Sequence, residues 1–412
     1  MKKTLSIHLL KNAIQILLFL ILFFPTIFQN IKLVLIIFIL FMYLVIPVNK
    51  IRVKYSILIW LLAYLLTNFF YLTLGSIRNN QVFNILSPVY LLWPILYFLV
   101  FIFPLSLEDI KFDIFKFCSK VGLIISIFTI YIYLSYRGVL PEITVIDSIF
   151  PHSINSYGGY VSYFSPNITS FFFLIPIVII SVFNKKQNEY IILNIISLFS
   201  MMLSSLLIGR RALILSIGIV LIIYICIKIY IGEIKLIKVI KFLLIFIVGY
   251  FLIYYILSFF NLNLRIFNLE LISQLSDGER NNQFVDLINS WKNKPIIGVG
   301  YGINSEHVIR SFTVPGTYEL SYVALLFQTG IVGVLVYGIL YLWLAFRTLL
   351  LFFKSKNIEY LAMFLSYVSI MIAHGTNPYI TSFDGAWIMF FLLASINRYP
   401  HSLNGKGDIS DK

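Results

Sequence analysis

The sequence predicts an all-α integral membrane protein, a polytopic bundle of about 12 transmembrane helices with one large loop on its outward side. Three observations predict it. Of 412 residues, 60% are hydrophobic and only 12% charged, with 39 Phe and 27 Tyr, more apolar surface than a water-soluble fold can bury. The apolar residues gather in runs close to the ~20 residues that cross the hydrocarbon core. Basic residues return at every second boundary between runs. A β-barrel would instead alternate polar and apolar residues with period two, whereas runs such as 14–24 are apolar on every side.

The first run, 12–29, follows Lys2, Lys3 and Lys11 and resembles a secretory signal. No small-x-small cleavage site follows Phe24-Pro25-Thr26, which makes it an uncleaved first span. The second, 32–48, ends in Lys50, Arg52 and Lys54. Runs at 56–74 and 86–106 follow, with Lys111 and Lys116 behind them, then 118–136 and 167–183, closed by Lys185 and Lys186. Runs at 190–208 and 211–231 lead to Lys235, Lys238 and Lys241, and a ninth run occupies 238–260. The last three are 318–346, 357–373 and 378–396, with Arg347, Lys354 and Lys356 after the tenth and Arg398, Lys406 and Lys412 after the twelfth. Every even-numbered boundary is basic, as the positive-inside rule requires of cytoplasmic loops, so both termini are placed in the cytoplasm.

The formal charge of +14 is therefore topogenic. No basic stretch is interleaved with stacking aromatics outside the spans, so nucleic acid is not expected as a partner. Cys118 and Cys226 form neither a disulfide framework nor a metal site and read as packing residues. The organisation is nine spans over 1–260 with an outward loop at 137–166, a large extracytoplasmic loop at 261–317, three spans over 318–398 and a cytoplasmic tail at 399–412.

Function is sought on the outward side. The 137–166 loop ends in Tyr157-Gly-Gly-Tyr-Val-Ser-Tyr-Phe-Ser-Pro166, with Glu142, Asp147 and His152 upstream; its tyrosines suit either sugar stacking or the interfacial aromatic belt. In the 261–317 loop, Asp277 can cap a short amphipathic helix whose apolar face is Phe284, Leu287, Ile288 and Trp291, ending before Pro295. The opposite face carries Arg280, Asn281 and Asn282. Gly298, Gly300 and Gly302 around Tyr301 either bring backbone amides to phosphate or sugar or make a tight structural turn.

Gly209-Arg210-Arg211-Ala212 is wedged between two apolar runs. A cation at membrane depth costs about 2.5–3.5 kcal/mol on insertion scales, which makes such arginines functional candidates. Either they snorkel to headgroups or they hold an anion, for which guanidinium, bidentate and always charged, is suited.

These residues resemble those of the O-antigen ligase and polysaccharide polymerase (Wzy) superfamily. Gly209-Arg210-Arg211-Ala212-Leu213 is similar to its Ser-Arg-Gly-Ala-Leu element, and Arg280 followed by Pro295-Ile-Ile-Gly-Val-Gly-Tyr-Gly302 is similar to its arginine-to-Pro-x-x-Gly-x-Gly stretch. Glu319-Leu-Ser-Tyr-Val-Ala-Leu-Leu-Phe-Gln-Thr-Gly330-Ile-Val-Gly333 is similar to the segment that enters the next span; the resemblance covers 197–336. It implies a helical bundle similar to the GT-C glycosyltransferase class and glycosyl transfer from an undecaprenyl-pyrophosphate-linked oligosaccharide, with no metal or other cofactor. Arg210 and Arg280 match the two arginines that hold the donor pyrophosphate, and Arg211 is an additional cation. Ligases usually carry His-Asn where this chain has Glu319-Leu320, which favours the polymerase branch, with a chain-length regulator and a flippase as possible partners.

Glu319 suits the general base that takes the proton of an attacking sugar hydroxyl, or is simply an acidic residue at a helix start. Tyr301, His307, Arg310 and His374 are the remaining substrate-binding candidates, and Asp384 reaches the same face. The expected activity is polymerisation of lipid-linked repeat units into surface polysaccharide at the outer face of a bacterial plasma membrane. Ligation of finished polymer is the alternative; a flippase is less favoured because the mid-span interiors carry few charges.

Overall fold

The computed structural model describes residues 2–46, 53–105, 112–142, 153–157, 160–164, 166–184, 190–233, 255, 269–311, 314–382 and 384–398. Apolar runs become helices because a chain in hydrocarbon must satisfy its own backbone. In order they are α1 (Lys2–Phe23), α2 (Gln29–Val45), α3 (Tyr55–Ser76), α4 (Val82–Ser87) leading through a π-helical turn (Pro88–Leu92) into α5 (Trp93–Leu105), and α6 (Ile114–Tyr136). After a hairpin and a 3-10 turn (Pro166–Ser170) come α7 (Phe171–Phe183), α8 (Ile191–Ile208), α9 (Arg211–Tyr230), α10 (Leu269–Lys292), α11 (Ser321–Ser355), α12 (Ile358–His374) and α13 (Trp387–Arg398).

Among the described residues, eight helical stretches are long and apolar enough to cross a membrane. Three apolar helices are shorter: α2, α12 and α13. The protein is therefore a helical, multi-pass membrane protein in architecture. The predicted ninth span at 238–260 lies, apart from Tyr255, outside the described residues, as does the 399–412 tail.

The centre of the bundle is α7, where every residue from Phe171 to Ser181 is buried. It packs against α6, α8, α9 and α12. Small polar residues bring α6 and α8 together: Ser119 Oγ donates to Asn194 Oδ1 at 2.7 Å and Ser197 Oγ to the Ser119 carbonyl at 2.8 Å. Lipid-immersed helices, which gain little from apolar burial against each other, use such contacts. The outer helices keep wide apolar faces exposed, including Val34, Phe41 and Leu44 on α2 and Leu335, Ile339 and Leu342 on α11, as expected of surfaces solvated by acyl chains.

Four sequence expectations need correction. First, α10 spans Leu269–Lys292, so Asp277 lies inside the helix and not at its start. Among its described side chains Gln283, Asp286, Leu287 and Ser290 are buried and Trp291 packs on the same cluster as Leu287, while Phe284 is 47% exposed. The helix turns a largely polar stripe inward because its neighbours offer hydrogen bonds, among them the His307 and Val308 amides that donate to Asp286. Second, the last helix begins at Trp387, because Gly375, Pro378 and Gly385 break the predicted 378–396 run into a turn-rich connection. A Cβ at Gly385 would stand 1.6 Å from the Tyr379 carbonyl oxygen, so only glycine fits there. Third, the 137–166 segment, expected only as a loop, contains an antiparallel hairpin, Ser153–Tyr157 with Tyr160–Phe164, in which Tyr157 pairs with Tyr160. Fourth, Cys226 is exposed on α9 rather than packed; Cys118 is buried, and both are free thiols.

Candidate functional site

The site is built from three chain reversals. At the first, Gly209 ends α8 in a left-handed conformation (φ 68°) and Arg210 is extended before α9 begins at Arg211. Glycine makes this reversal two residues long, so both arginines are held at one end of a helix pair. The Arg210 guanidinium donates to the Tyr379 hydroxyl, whose ring packs against Phe172 at 5.5 Å between centroids.

The second reversal is the glycine segment after α10. Gly298, Gly300 and Gly302 have φ of 76°, 92° and 69°. Gly300 lies so close to α3 that a Cβ would stand 2.3 Å from the Gly75 nitrogen. The Gly300 amide donates to the Gln328 carbonyl at 2.8 Å and the Tyr301 amide to the Tyr71 carbonyl at 3.0 Å, with Val299 bonded to the Phe327 carbonyl at 3.3 Å. These three amides fasten the loop to α3 and α11 and hold no phosphate. The structural reading of this turn prevails.

The third is a break within α11. Gly330 (φ 63°, ψ −170°) interrupts the helix and lets the Ile331 and Val332 amides donate to the Pro295 and Ile296 carbonyls at 3.0 and 3.1 Å. The short leading piece of α11 is thereby docked to the glycine loop, which places Glu319 just ahead of it. Glu319 lies beyond the cap residue Leu320, and its carboxylate reaches guanidinium groups instead of helix amides. Oε2 accepts from Arg280 Nε at 2.8 Å and Oε1 pairs with Arg310 Nη2 at 3.1 Å. The three side chains are partly exposed, 27% for Glu319, 40% for Arg280 and 34% for Arg310, so a ligand can reach them.

All of these line one cavity of about 1520 Å³, whose wall includes Arg210, Arg211, Arg280, Arg310, Glu319, His374 and Tyr301. The rest of the wall is more apolar than polar, with Ile21, Leu22, Leu86, Leu215 and Leu325 among its residues. His307 is not among them. Its side chain is exposed and its backbone amide is tied to Asp286 at 3.1 Å, which puts it on the outside of the loop. His374 is buried, its ring edge-on to Tyr322 at 5.4 Å and its Nδ1 facing the Ile380 amide at 3.4 Å. Asp384 also lines the cavity but is neither solvated nor open to a sugar. It is 3% exposed and accepts from Lys32 Nζ at 2.6 Å, Tyr97 at 2.6 Å and the Thr26 amide at 2.6 Å.

Tyr379 escaped the sequence reading because its position fell inside the predicted twelfth span. Burial pushes its phenol above the ordinary value, and the charges of Arg210 and Arg280 offset part of that rise while Glu319 adds to it. The phenol therefore sits within the fields of both arginine groups. Four arginines, two of them paired with Glu319, beside an apolar wall can seat an anionic headgroup that carries a long apolar tail. No family model matches this chain, and no curated protein is similar to it in sequence.

Proposed function

We propose that this chain is a membrane glycosyltransferase that polymerises undecaprenyl-pyrophosphate-linked oligosaccharide repeat units into surface polysaccharide at the outer face of a bacterial plasma membrane. The observation that carries the reading is the meeting of Arg210, Arg211, Arg280, Arg310 and Glu319 in one cavity with an apolar wall. Arg210, Arg280 and Glu319, singled out by a resemblance to the polymerase family and spread over more than a hundred positions of the chain, line that one cavity.

In the proposed reaction the donor pyrophosphate lies on the guanidinium groups and its polyprenyl tail along the apolar wall. The acceptor hydroxyl gives its proton to the Glu319 carboxylate as its oxygen attacks the anomeric carbon. The bond from that carbon to the pyrophosphate oxygen breaks, and the electron pair leaves with undecaprenyl pyrophosphate. Arginine stabilises that developing charge without a metal ion. Attack opposite the leaving group inverts the anomeric centre. In this scheme α2, α12 and α13 also cross the membrane, which with the eight longer stretches and the run predicted at 238–260 makes about twelve spans of the GT-C class with both termini cytoplasmic.

Before the donor binds, both oxygens of the Glu319 carboxylate are occupied by guanidinium groups. The donor pyrophosphate competes for the same guanidiniums, so its arrival releases Glu319 to accept the proton. The acidic residue in this place supports polymerisation over ligation. The test is polymer formation by Arg280→Ala in cells that make the protein at normal level. The expected result is a loss of at least about a hundredfold, the scale of removing one preorganised donor; normal polymer length and amount would remove the pyrophosphate clamp.

A further inference from the structure

The same cavity has a second polar wall of different chemistry. Asn68 on α3, Tyr301 of the glycine loop, and Tyr337 on α11 meet there, all at least about nine-tenths buried, with Tyr64, Tyr90 and Thr381 also on the wall. Tyr337 donates to Asn68 Oδ1 at 2.7 Å, Tyr301 lies 3.4 Å from the same oxygen, and the two hydroxyls are 2.6 Å apart. Tyr90, carried on the π-helical turn ahead of Pro94, stacks on Tyr301 at 4.4 Å and 14°.

The Asn68 amide is not satisfied. It is 1% exposed, and Nδ2 makes no hydrogen bond. Tyr64, one turn earlier on α3, feels the amide without completing a bond to it. Turning the amide over exchanges its ends and leaves an acceptor orphaned instead of a donor. An orphaned polar group roughly two turns inside a membrane helix is costly and marks a place where a ligand supplies the partner. That ligand is neither the anion, for which this wall has no cation, nor the apolar tail, which would leave the amide bare. A group with many neutral donor–acceptor hydroxyls fits.

We propose that Asn68, with the Tyr301 and Tyr337 hydroxyls, forms a saccharide subsite that hydrogen-bonds the sugar next to the pyrophosphate. The inference rests on the lipid-pyrophosphate reading and adds the wall that reads sugar.

The test compares the affinity of the full-length protein in detergent for two synthetic probes, a short-chain polyprenyl pyrophosphate and the same lipid carrying one N-acetylhexosamine. In the wild type the sugar is expected to tighten binding about tenfold, the scale of one or two well-made hydrogen bonds. Asn68→Leu, similar in shape and without the orphaned amide, keeps the sugar-free affinity and loses most of that gain, with a melting temperature unchanged or raised. Asn68→Ala gives the same comparison if leucine does not pack. A sugar gain that survives in both variants overturns the subsite, as does a fall of both probes together, which would make the amide structural. A wild type that binds the bare lipid without any sugar gain removes the subsite alone. A wild type that binds neither probe removes the lipid-pyrophosphate reading as well.

Discussion

Each oxygen of the Glu319 carboxylate is taken by a different guanidinium, Arg280 at 2.8 Å and Arg310 at 3.1 Å. The account makes this carboxylate both a base and a stand-in for the donor's phosphate. Glu319→Gln should therefore abolish turnover yet bind polyprenyl pyrophosphate several-fold more tightly, as measured by calorimetry, because the competing anion is gone. Weaker binding would mean that the carboxylate organises the arginines instead of competing with the ligand. Tyr379→Phe keeps the ring against Phe172 and removes the hydroxyl that holds Arg210. Turnover should fall about tenfold with a smaller effect on donor affinity, the expected result when a positioning contact is lost; an unchanged kcat would show that Arg210 needs no such hold. Charges at the edges of apolar runs made Arg210 and Glu319 legible in the sequence, and the spacing from Arg280 to the Pro295 glycine segment made Arg280 so. Tyr379 was not, since a tyrosine inside a predicted span carries no sign of the arginine it will meet 169 positions away.

The glycine loop shows how an element positions chemistry without performing it. Its amides are spent on α3 and α11 carbonyls, and Tyr301 goes into the cavity wall. Gly300→Ala combines a φ of 92° with a Cβ 2.3 Å from the Gly75 nitrogen, and Gly75→Ala would place a Cβ 2.0 Å from the Tyr301 carbonyl oxygen. Both variants should lower the melting temperature by several degrees and abolish activity, as overpacking against backbone does. Gly218→Ala on α9 meets nothing within 4 Å and should be neutral or slightly stabilising, by up to about 1 kcal/mol. A thermal-shift series in detergent checks all three, and a tolerant Gly300→Ala would mean that the loop is not packed this way. Helices α3 and α6–α9 were legible because apolar runs of spanning length have only one backbone solution in lipid. The inward face of α10 was not. Its periodicity pointed to Phe284, Leu287, Ile288 and Trp291; Leu287 and Trp291 do pack inward, but Phe284 is exposed, and partners remote in sequence, the His307 and Val308 amides among them, draw Asp286 inward.

Across the whole molecule, one buried ion pair joins the beginning of the chain to its end. Lys32 on α2 and Asp384 before α13 lie 2.6 Å apart with side chains 0% and 2% exposed. Asp384 also accepts from the Thr26 amide, where Thr26 and Phe28 hold left-handed φ of 64° and 56°. Removing one partner strands a charge, so Lys32→Met should cost about 3–5 kcal/mol. Lys32→Met with Asp384→Leu should recover only part of it, since Thr26 and Tyr97 lose their acceptor. A double variant more stable than wild type, by thermal unfolding in detergent, would show that the pair contributes no net stability. The pair was invisible in sequence, where Lys32 is a lone cation in an apolar run and Asp384 reads as a surface acid.

Asp384, the glycine loop and the arginine reversal all contribute to the wall of one cavity, and the central claim is that lipid-linked repeat units are joined there. The most direct measurement separates, by size and by leaflet, the lipid-linked saccharides of cells lacking this protein. The account predicts single repeat units on undecaprenyl pyrophosphate in the outer leaflet and no longer chains, with polymer restored by the wild type and not by Arg280→Ala. Full-length polymer left on the lipid would assign ligation instead, and repeat units held in the cytoplasmic leaflet would contradict catalysis at this site.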